Sequence, residues 1–273
     1  VHKLLGRIVP PLSPSLTLSP VVRRAPRVLL LLLCITAPAL AFSVFPTMST
    51  TPKLKMYYFA VRARSEAAKM IMAAGKIPYE EKLINGAAFK ALKDGGKCPF
   101  DQLPVMEIGT DGTVLADSGA ICRYLAKMGG LYPSDPIQAA LSEEAFEVSQ
   151  GCASINPIVN VFKDDVFAEK KAEYFTSFAK KVGLLSKRLG EKKFFAGVGP
   201  TLGDFGVMHV LDMSLLLEPT SLDTAENLKA FVARMREVPG LKEYLETRPD
   251  AVDCGTAPML KGKDGEFVRG GDL

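Results

Sequence analysis

Histidine is nearly missing from this chain of 273 residues, in which His2 and His209 are the only imidazoles. Triads built on histidine and His-rich metal centres therefore lack their raw material. His209 falls in an apolar helical stretch, where a histidine most often acts as a hydrogen-bonded core residue. Cysteine is sparse too: Cys34, Cys98, Cys122, Cys152 and Cys254 are scattered, with no Cys-x-x-Cys pair and no Cys/His cluster at metal-ligand spacing. They read as ordinary thiols. A concentrated basic face is also lacking. The net charge of +4 comes from the first 48 residues, where Lys3, Arg7, Arg23, Arg24 and Arg27 face no acidic side chain, and the remainder carries 29 Lys and Arg against 30 Asp and Glu. A nucleic-acid binder would need an excess of positive charge on one face. What the chain has in quantity is apolar side chains, 48% of residues, enough for one large domain or two of ordinary size.

Residues 1–48 read as a leader or unfolded extension. The first twenty are rich in Pro, Ser and Leu without period. Arg23, Arg24 and Arg27 then precede the apolar run Val28–Ile35, and Ala39-Leu-Ala41 has the small-residue spacing of a signal-peptidase site. Phe42, directly after that point, resembles the entry signals of algae with complex plastids. The alternatives are a membrane helix, against which Pro38 and the short apolar run argue, or upstream sequence ahead of a cytosolic start at Met48. The expected location is cytoplasmic if translation starts at Met48, and otherwise the secretory route or a plastid.

From residue 53 strand and helix signals alternate. Lys53–Phe59 is a strand. Arg64–Ala74 is a helix with Ala67, Met70, Ile71 and Ala74 on one face, stopped by Gly75. Tyr79–Ile84 gives a second strand and Ala87–Lys93 a short helix. Pro104–Ile108 and Thr113–Ala116, joined through Asp111-Gly112, form a hairpin. Asp117-Ser118 caps a helix that buries Ile121, Tyr124, Leu125 and Met128. The order is βαβαββα over residues 53–130. After Tyr132–Pro136 strand signals nearly vanish, and residues 135–248 form an all-helical domain. Thr201-Leu-Gly-Asp204 is a capping box, and the helix it opens, Leu202–Leu217, is apolar on most sides and belongs at the domain's centre. The polar, Gly-rich tail 249–273 is expected outside the core.

Four motifs in order carry a resemblance: Tyr58-Phe-Ala-Val-Arg-Ala-Arg-Ser-Glu66, Leu103-Pro104, Asp117-Ser118-Gly-Ala-Ile121 and Thr201-Leu-Gly-Asp204. Over residues 53–248 the chain resembles the cytosolic glutathione transferases. It looks most like their sigma class, which includes haematopoietic prostaglandin D synthase and the lens S-crystallins. The resemblance implies a thioredoxin-like domain followed by an all-helical one. It also implies a homodimer that binds glutathione as co-substrate, without metal or redox cofactor, together with a small hydrophobic electrophile.

The family's tyrosine, whose hydroxyl hydrogen-bonds the glutathione sulfur and favours the thiolate, falls on Tyr58. Tyr57 is its rival on the opposite face of the strand. Arg64 matches the arginine that supports the tyrosine, and a nearby cation lowers the cost of an anion on its own account. Arg62 reads as a solvated arginine. The Leu103-Pro104 bond is expected to be cis, with Leu103 pairing to the cysteinyl backbone of glutathione. Asp117 and Ser118 align with the pair that holds the γ-glutamyl carboxylate, although simple capping competes for Asp117, which is shorter than the family's usual Gln or Glu. Lys93 aligns with a basic residue near the glycine carboxylate and Gln102 with the side chain before Leu-Pro. The chain has no tryptophan, so Phe89 stands in for one that many relatives use. The electrophile is expected between the domains, near Phe162, Phe167 and Ile155-Asn-Pro157. A thioredoxin-like oxidoreductase would need a cysteine in Ala60–Ala63, where there is none. Isomerisation or peroxide reduction by the same thiolate, and a non-catalytic S-crystallin-like role, stay open.

Overall fold

The computed structural model describes residues 52–273, Val198 excepted; the leader, its cleavage signal and the alternative start at Met48 lie outside them. Strand β1 (Leu54–Tyr58) lies between β2 (Glu80–Leu83), parallel to it, and β3 (Val105–Ile108), antiparallel, with β4 (Thr113–Ala116) beyond, giving the order β2-β1-β3-β4. Helices α1 (Glu66–Ala74), α2 (Gly86–Asp94) and α3 (Ser118–Met128) complete a thioredoxin-like βαβαββα unit. The period-3.6 stripe of α1 does what its spacing implies: Ala67, Met70 and Ile71 are buried with Met56 and Met106 of the sheet and Ile121 and Leu125 of α3. Tyr124 and Met128 are only partly buried. A second, smaller core lies under α2 and contains Tyr57, Ile84, Ala88, Leu92 and Val105.

The helical domain comprises α4 (Pro136–Gln150), α5 (Ile155–Asn160), α6 (Asp164–Leu189), α7 (Leu202–Leu217), α8 (Glu226–Arg236) and α9 (Leu241–Thr247). Helix α7 occupies its centre, buried continuously from Leu202 to Ser214. The capping box at its start forms. Asp204 accepts from the Thr201 N–H and hydroxyl, both at 2.8 Å, and from the Phe195 N–H at 2.9 Å. Gly203 lets α7 touch α4, since a Cβ there would collide with the Ser142 carbonyl oxygen.

The tail departs from expectation. Residues 250–268 form three antiparallel strands, β5 (Asp250–Val252), β6 (Met259–Lys261) and β7 (Phe267–Val268), and Leu260 is buried. Its second turn is closed by the Gly262 N–H donating to the Glu266 carbonyl at 2.7 Å. Short strands whose faces meet other parts of the chain show too little alternation to register as a sequence pattern. Among the described residues no helix is long and apolar enough to cross a membrane.

Candidate active site

Neighbours on a strand face opposite ways, and the two tyrosines at the end of β1 do so. Tyr57 packs into the small core under α2 and donates to Glu107 at 3.1 Å. Burial, then the Glu107 carboxylate, push its pKa up to about 12. Tyr58 belongs to neither core, although only 5% of it is exposed. Its hydroxyl oxygen accepts the Arg64 N–H at 3.0 Å, so the β1–α1 turn fixes where the phenol points. Among the described residues its own proton has no acceptor. Burial raises the Tyr58 pKa above 10.0, the Arg64 N–H and charge oppose that rise, and Glu66 adds to it. The group is therefore a neutral phenol at pH 7, able to donate one hydrogen bond.

Arg64, whose N–H holds the Tyr58 hydroxyl, also lines a cleft of about 250 Å³ with Gln102, Leu103, Asp117 and Ser118, and neither Tyr58 nor Pro104 is among the lining residues. These five residues come from three segments far apart in the chain. The Leu103-Pro104 bond is cis, and Pro104 is buried where β3 begins. Asp117 adopts φ 74° and caps α3 with Oδ1, which accepts from the Gly119 N–H at 2.9 Å and the Ala120 N–H at 3.0 Å. The capping role thus occupies one oxygen of Asp117. Ser118 opens α3, whose N-terminal end of the helix dipole faces the cleft residues and favours a carboxylate there.

Phe89 and Lys93 do not line this cleft. They sit on α2, with the Lys93 ammonium 5.0 Å from the Phe89 ring centre and that ring edge-on to Phe59 at 5.5 Å. Phe59 in turn neighbours Tyr58, their ring centres 6.1 Å apart. Of the residues expected near an electrophile, Phe162 lines a cleft of about 350 Å³ with Ser154, Pro157, Ile158 and Tyr174. Phe167 instead lies under Gly255.

One reading of a single residue, Arg62, is corrected, and the reading of His209 as a hydrogen-bonded core histidine holds for one of its nitrogens. Arg62 is buried rather than solvated: it donates to the Pro249 carbonyl, and its own carbonyl accepts from Asn160 at 2.6 Å. His209 is buried and pairs Nε2 with Asn156 Oδ1 at 3.1 Å, but Nδ1 has no partner among the described residues. A buried ionic cluster behind the β1–α1 turn was not anticipated at all. Glu66 accepts from Arg248 at 2.7 Å and from the Tyr244 hydroxyl at 3.0 Å, and Arg248 also binds Asp212. Glu66 and Arg248 are 182 residues apart, and local sequence holds no signal for such a pair. Among the described residues no group of three or more His, Cys, Asp or Glu is placed to hold a metal ion.

A four-stranded thioredoxin-like unit joined to a bundle centred on a buried helix, with a polar cleft at the end of β1, defines a thioredoxin-like protein with an appended all-helical domain. Comparison with known proteins narrows the class. Residues 54–127 match the glutathione S-transferase N-terminal domain and residues 154–248 the glutathione S-transferase C-terminal domain. Glutathione S-transferase 1 of Ascaris suum is 29% identical over 205 residues, covering 72% of this chain and 98% of that protein. Hematopoietic prostaglandin D synthase of Gallus gallus is 28% identical over 206 residues, with the same coverage. Among solved structures, rat hPGDS complexed with a quinoline superimposes with a TM-score of 0.65 at 26% identity, covering 73% of this chain and 98% of that one. The chain belongs to the glutathione S-transferase family.

Proposed function

We propose that this protein conjugates the thiolate of glutathione to small hydrophobic electrophiles, and that Tyr58 stabilises the thiolate. The observation that carries the reading is the free phenolic proton of Tyr58, whose hydroxyl is held by the N–H of Arg64, a residue that also lines the cleft of Gln102, Leu103, Asp117 and Ser118. In this reading the Tyr58 O–H donates to the sulfur, and the Arg64 charge favours the anion. Leu103 pairs with the cysteinyl backbone through its own N–H and C=O. Ser118, the start of α3 and the remaining oxygen of Asp117 meet the γ-glutamyl end, and Gln102 closes the cleft. Lys93, with Phe89 beneath it, reaches the glycine end. Negative charge that grows on sulfur is then met by groups already in place, which lowers the barrier to attack without reorganisation. Glutathione is consumed as a co-substrate, and the working unit is a homodimer of sigma-like type.

Isomerisation by the same thiolate is the second reading, favoured by the likeness to two prostaglandin D synthases. Tyr58→Phe tests the common step. Losing a hydrogen bond to a charged group costs about 1.5–3 kcal/mol, or roughly 10- to 150-fold in kcat/KM. Thiolate absorbance of the bound complex should fall in the variant while glutathione affinity is largely kept. Unchanged ionisation would remove Tyr58 from the mechanism. Binding without turnover on an activated chloronitrobenzene or on an endoperoxide would favour a non-catalytic role.

A further inference from the structure

The turn between β1 and α1, residues 59–65, carries the Arg64 N–H that holds the Tyr58 hydroxyl, and its backbone is neither strand nor helix. Inside it the Val61 N–H donates to the Phe59 carbonyl at 2.8 Å, and the Glu66 N–H to the Ala63 carbonyl at 3.0 Å. The Arg62 carbonyl, one peptide unit before the Arg64 N–H, finds its partner in the helical domain, where Asn160 Nδ2 donates to it at 2.6 Å. The same nitrogen donates to the Asn156 carbonyl at 2.8 Å, inside α5. An asparagine amide carries two N–H donors, so both are committed.

Helix α5 is a fixed platform for that donor. Its Ile155, Ile158 and Val159 are buried in the main core, and its buried Asn156 side chain pairs with His209 of the central helix α7 at 3.1 Å. Asn160 is half-buried and does not line the cleft of Gln102, Leu103, Asp117 and Ser118. Its link to Tyr58 runs through two consecutive peptide planes: the Arg62 carbonyl belongs to the first and the Arg64 N–H to the second. Peptide units are rigid and joined at a single Cα, here that of Ala63, so tilting the first moves the second unless other bonds resist. Hydrogen bonds weaken as they bend, and the hold on the Tyr58 hydroxyl depends on that tilt.

We propose that Asn160 is a positioning residue for the thiolate step: by holding the Arg62 carbonyl it fixes the peptide planes that place the Arg64 N–H, and through it the direction of the Tyr58 hydroxyl. The proposal rests on the reading of Tyr58 as the group that stabilises the glutathione thiolate. A donor meets a developing anion best when it is aimed beforehand, and the aim comes from the groups packed and hydrogen-bonded behind it. Here those groups belong to the helical domain, whereas every residue lining the cleft belongs to the thioredoxin-like unit. Both domains therefore contribute to one step, the second without touching glutathione.

Ionisation of the bound glutathione thiol, followed by thiolate absorbance against pH with no electrophile present, tests this in a double-mutant cycle of Asn160→Ala and Tyr58→Phe. Asn160→Ala alone should raise the midpoint of ionisation by about half to one pH unit, with a roughly three- to tenfold loss of kcat below that midpoint and the glutathione KM within about twofold of wild type. In the Tyr58→Phe background it should add nothing, because the hydroxyl it acts through is gone. An unchanged midpoint in the single variant, or the same rise in both backgrounds, would overturn the proposal and leave the Tyr58 reading standing. A wild type that binds no glutathione, or a Tyr58→Phe protein that ionises the bound thiol like wild type, would instead overturn the Tyr58 reading, and this role of Asn160 with it. Asn160→Leu, similar in volume but without a donor, repeats the cycle where the alanine variant fails to fold. Loss of fold in both would count against the proposal, since the amide would then serve the fold rather than the aim of Tyr58.

Discussion

At the scale of single residues, the adjacent tyrosines on β1 differ in what their hydroxyls are bound to. Tyr57 spends its hydroxyl on Glu107 and its ring on the core under α2. Tyr58 keeps its proton free and receives the Arg64 N–H instead. Tyr57→Phe should therefore lower stability by about 0.5–1.5 kcal/mol, the worth of one ordinary hydrogen bond, read as a shift in the urea midpoint. The conjugation rate should stay within about twofold of wild type, because the phenyl ring still fills its place. A rate loss as large as that of Tyr58→Phe would mean that the strand register has been assigned to the wrong tyrosine. Two arginines of the same turn divide similarly: Arg64 lines the cleft with Gln102, Leu103, Asp117 and Ser118, whereas Arg62 is buried against the tail.

Helices and strands were legible wherever a local pattern decides them. The stripe of α1, the Asp-Gly turn between β3 and β4, the Asp117 cap and the Thr201 box each place an element to within two residues of where it lies. Most of the cleft was legible too, since Arg64, Gln102, Leu103, Asp117 and Ser118 converge. Phe89 and Lys93 stand apart on α2. What stayed hidden depends on distant partners. Asp264-Gly265 is the same kind of turn signal as Asp111-Gly112, yet the strands it joins are only three and two residues long and show no usable period. Close packing of α4 against α7 is equally unreadable from a glycine inside an apolar helix, a residue that otherwise costs helix stability. Gly203→Ala makes this testable. Its Cβ would strike backbone, the Ser142 carbonyl oxygen, which cannot rotate away. The variant should lose about 1–3 kcal/mol through overpacking, despite alanine's better helix propensity. A gain in denaturation midpoint would show that α4 and α7 are not held so close.

Across the whole molecule, one buried cluster fastens the thioredoxin-like unit to the helical domain behind the β1–α1 turn. Glu66 opens α1, Asp212 belongs to α7, and Arg248 follows α9 and joins both carboxylates. Burial pushes the Glu66 pKa up, but the charges of Arg248, Lys69 and Arg62 outweigh it and hold the pKa below 4.5. His209, in the same surroundings, is held below 6.5 chiefly by burial. Both shifts have one sign: at low pH the unfolded chain takes up protons that the folded chain refuses. The His209 share of stability is thus present above pH 6.5 and lost as pH falls below it. The Glu66 share is present above pH 4.5 and lost as pH falls through the folded value. The melting temperature should accordingly be flat near neutrality, decline gently below pH 6.5 and fall steeply below pH 4.5. Glu66→Gln should cost about 3–5 kcal/mol at neutral pH, because it strands the buried Arg248 charge. It should also flatten the limb below pH 4.5 while leaving the His209 limb in place. His209→Gln should do the reverse. If Glu66→Gln and the wild type lose stability in parallel below pH 4.5, acid sensitivity arises elsewhere and the cluster is not what joins the two domains.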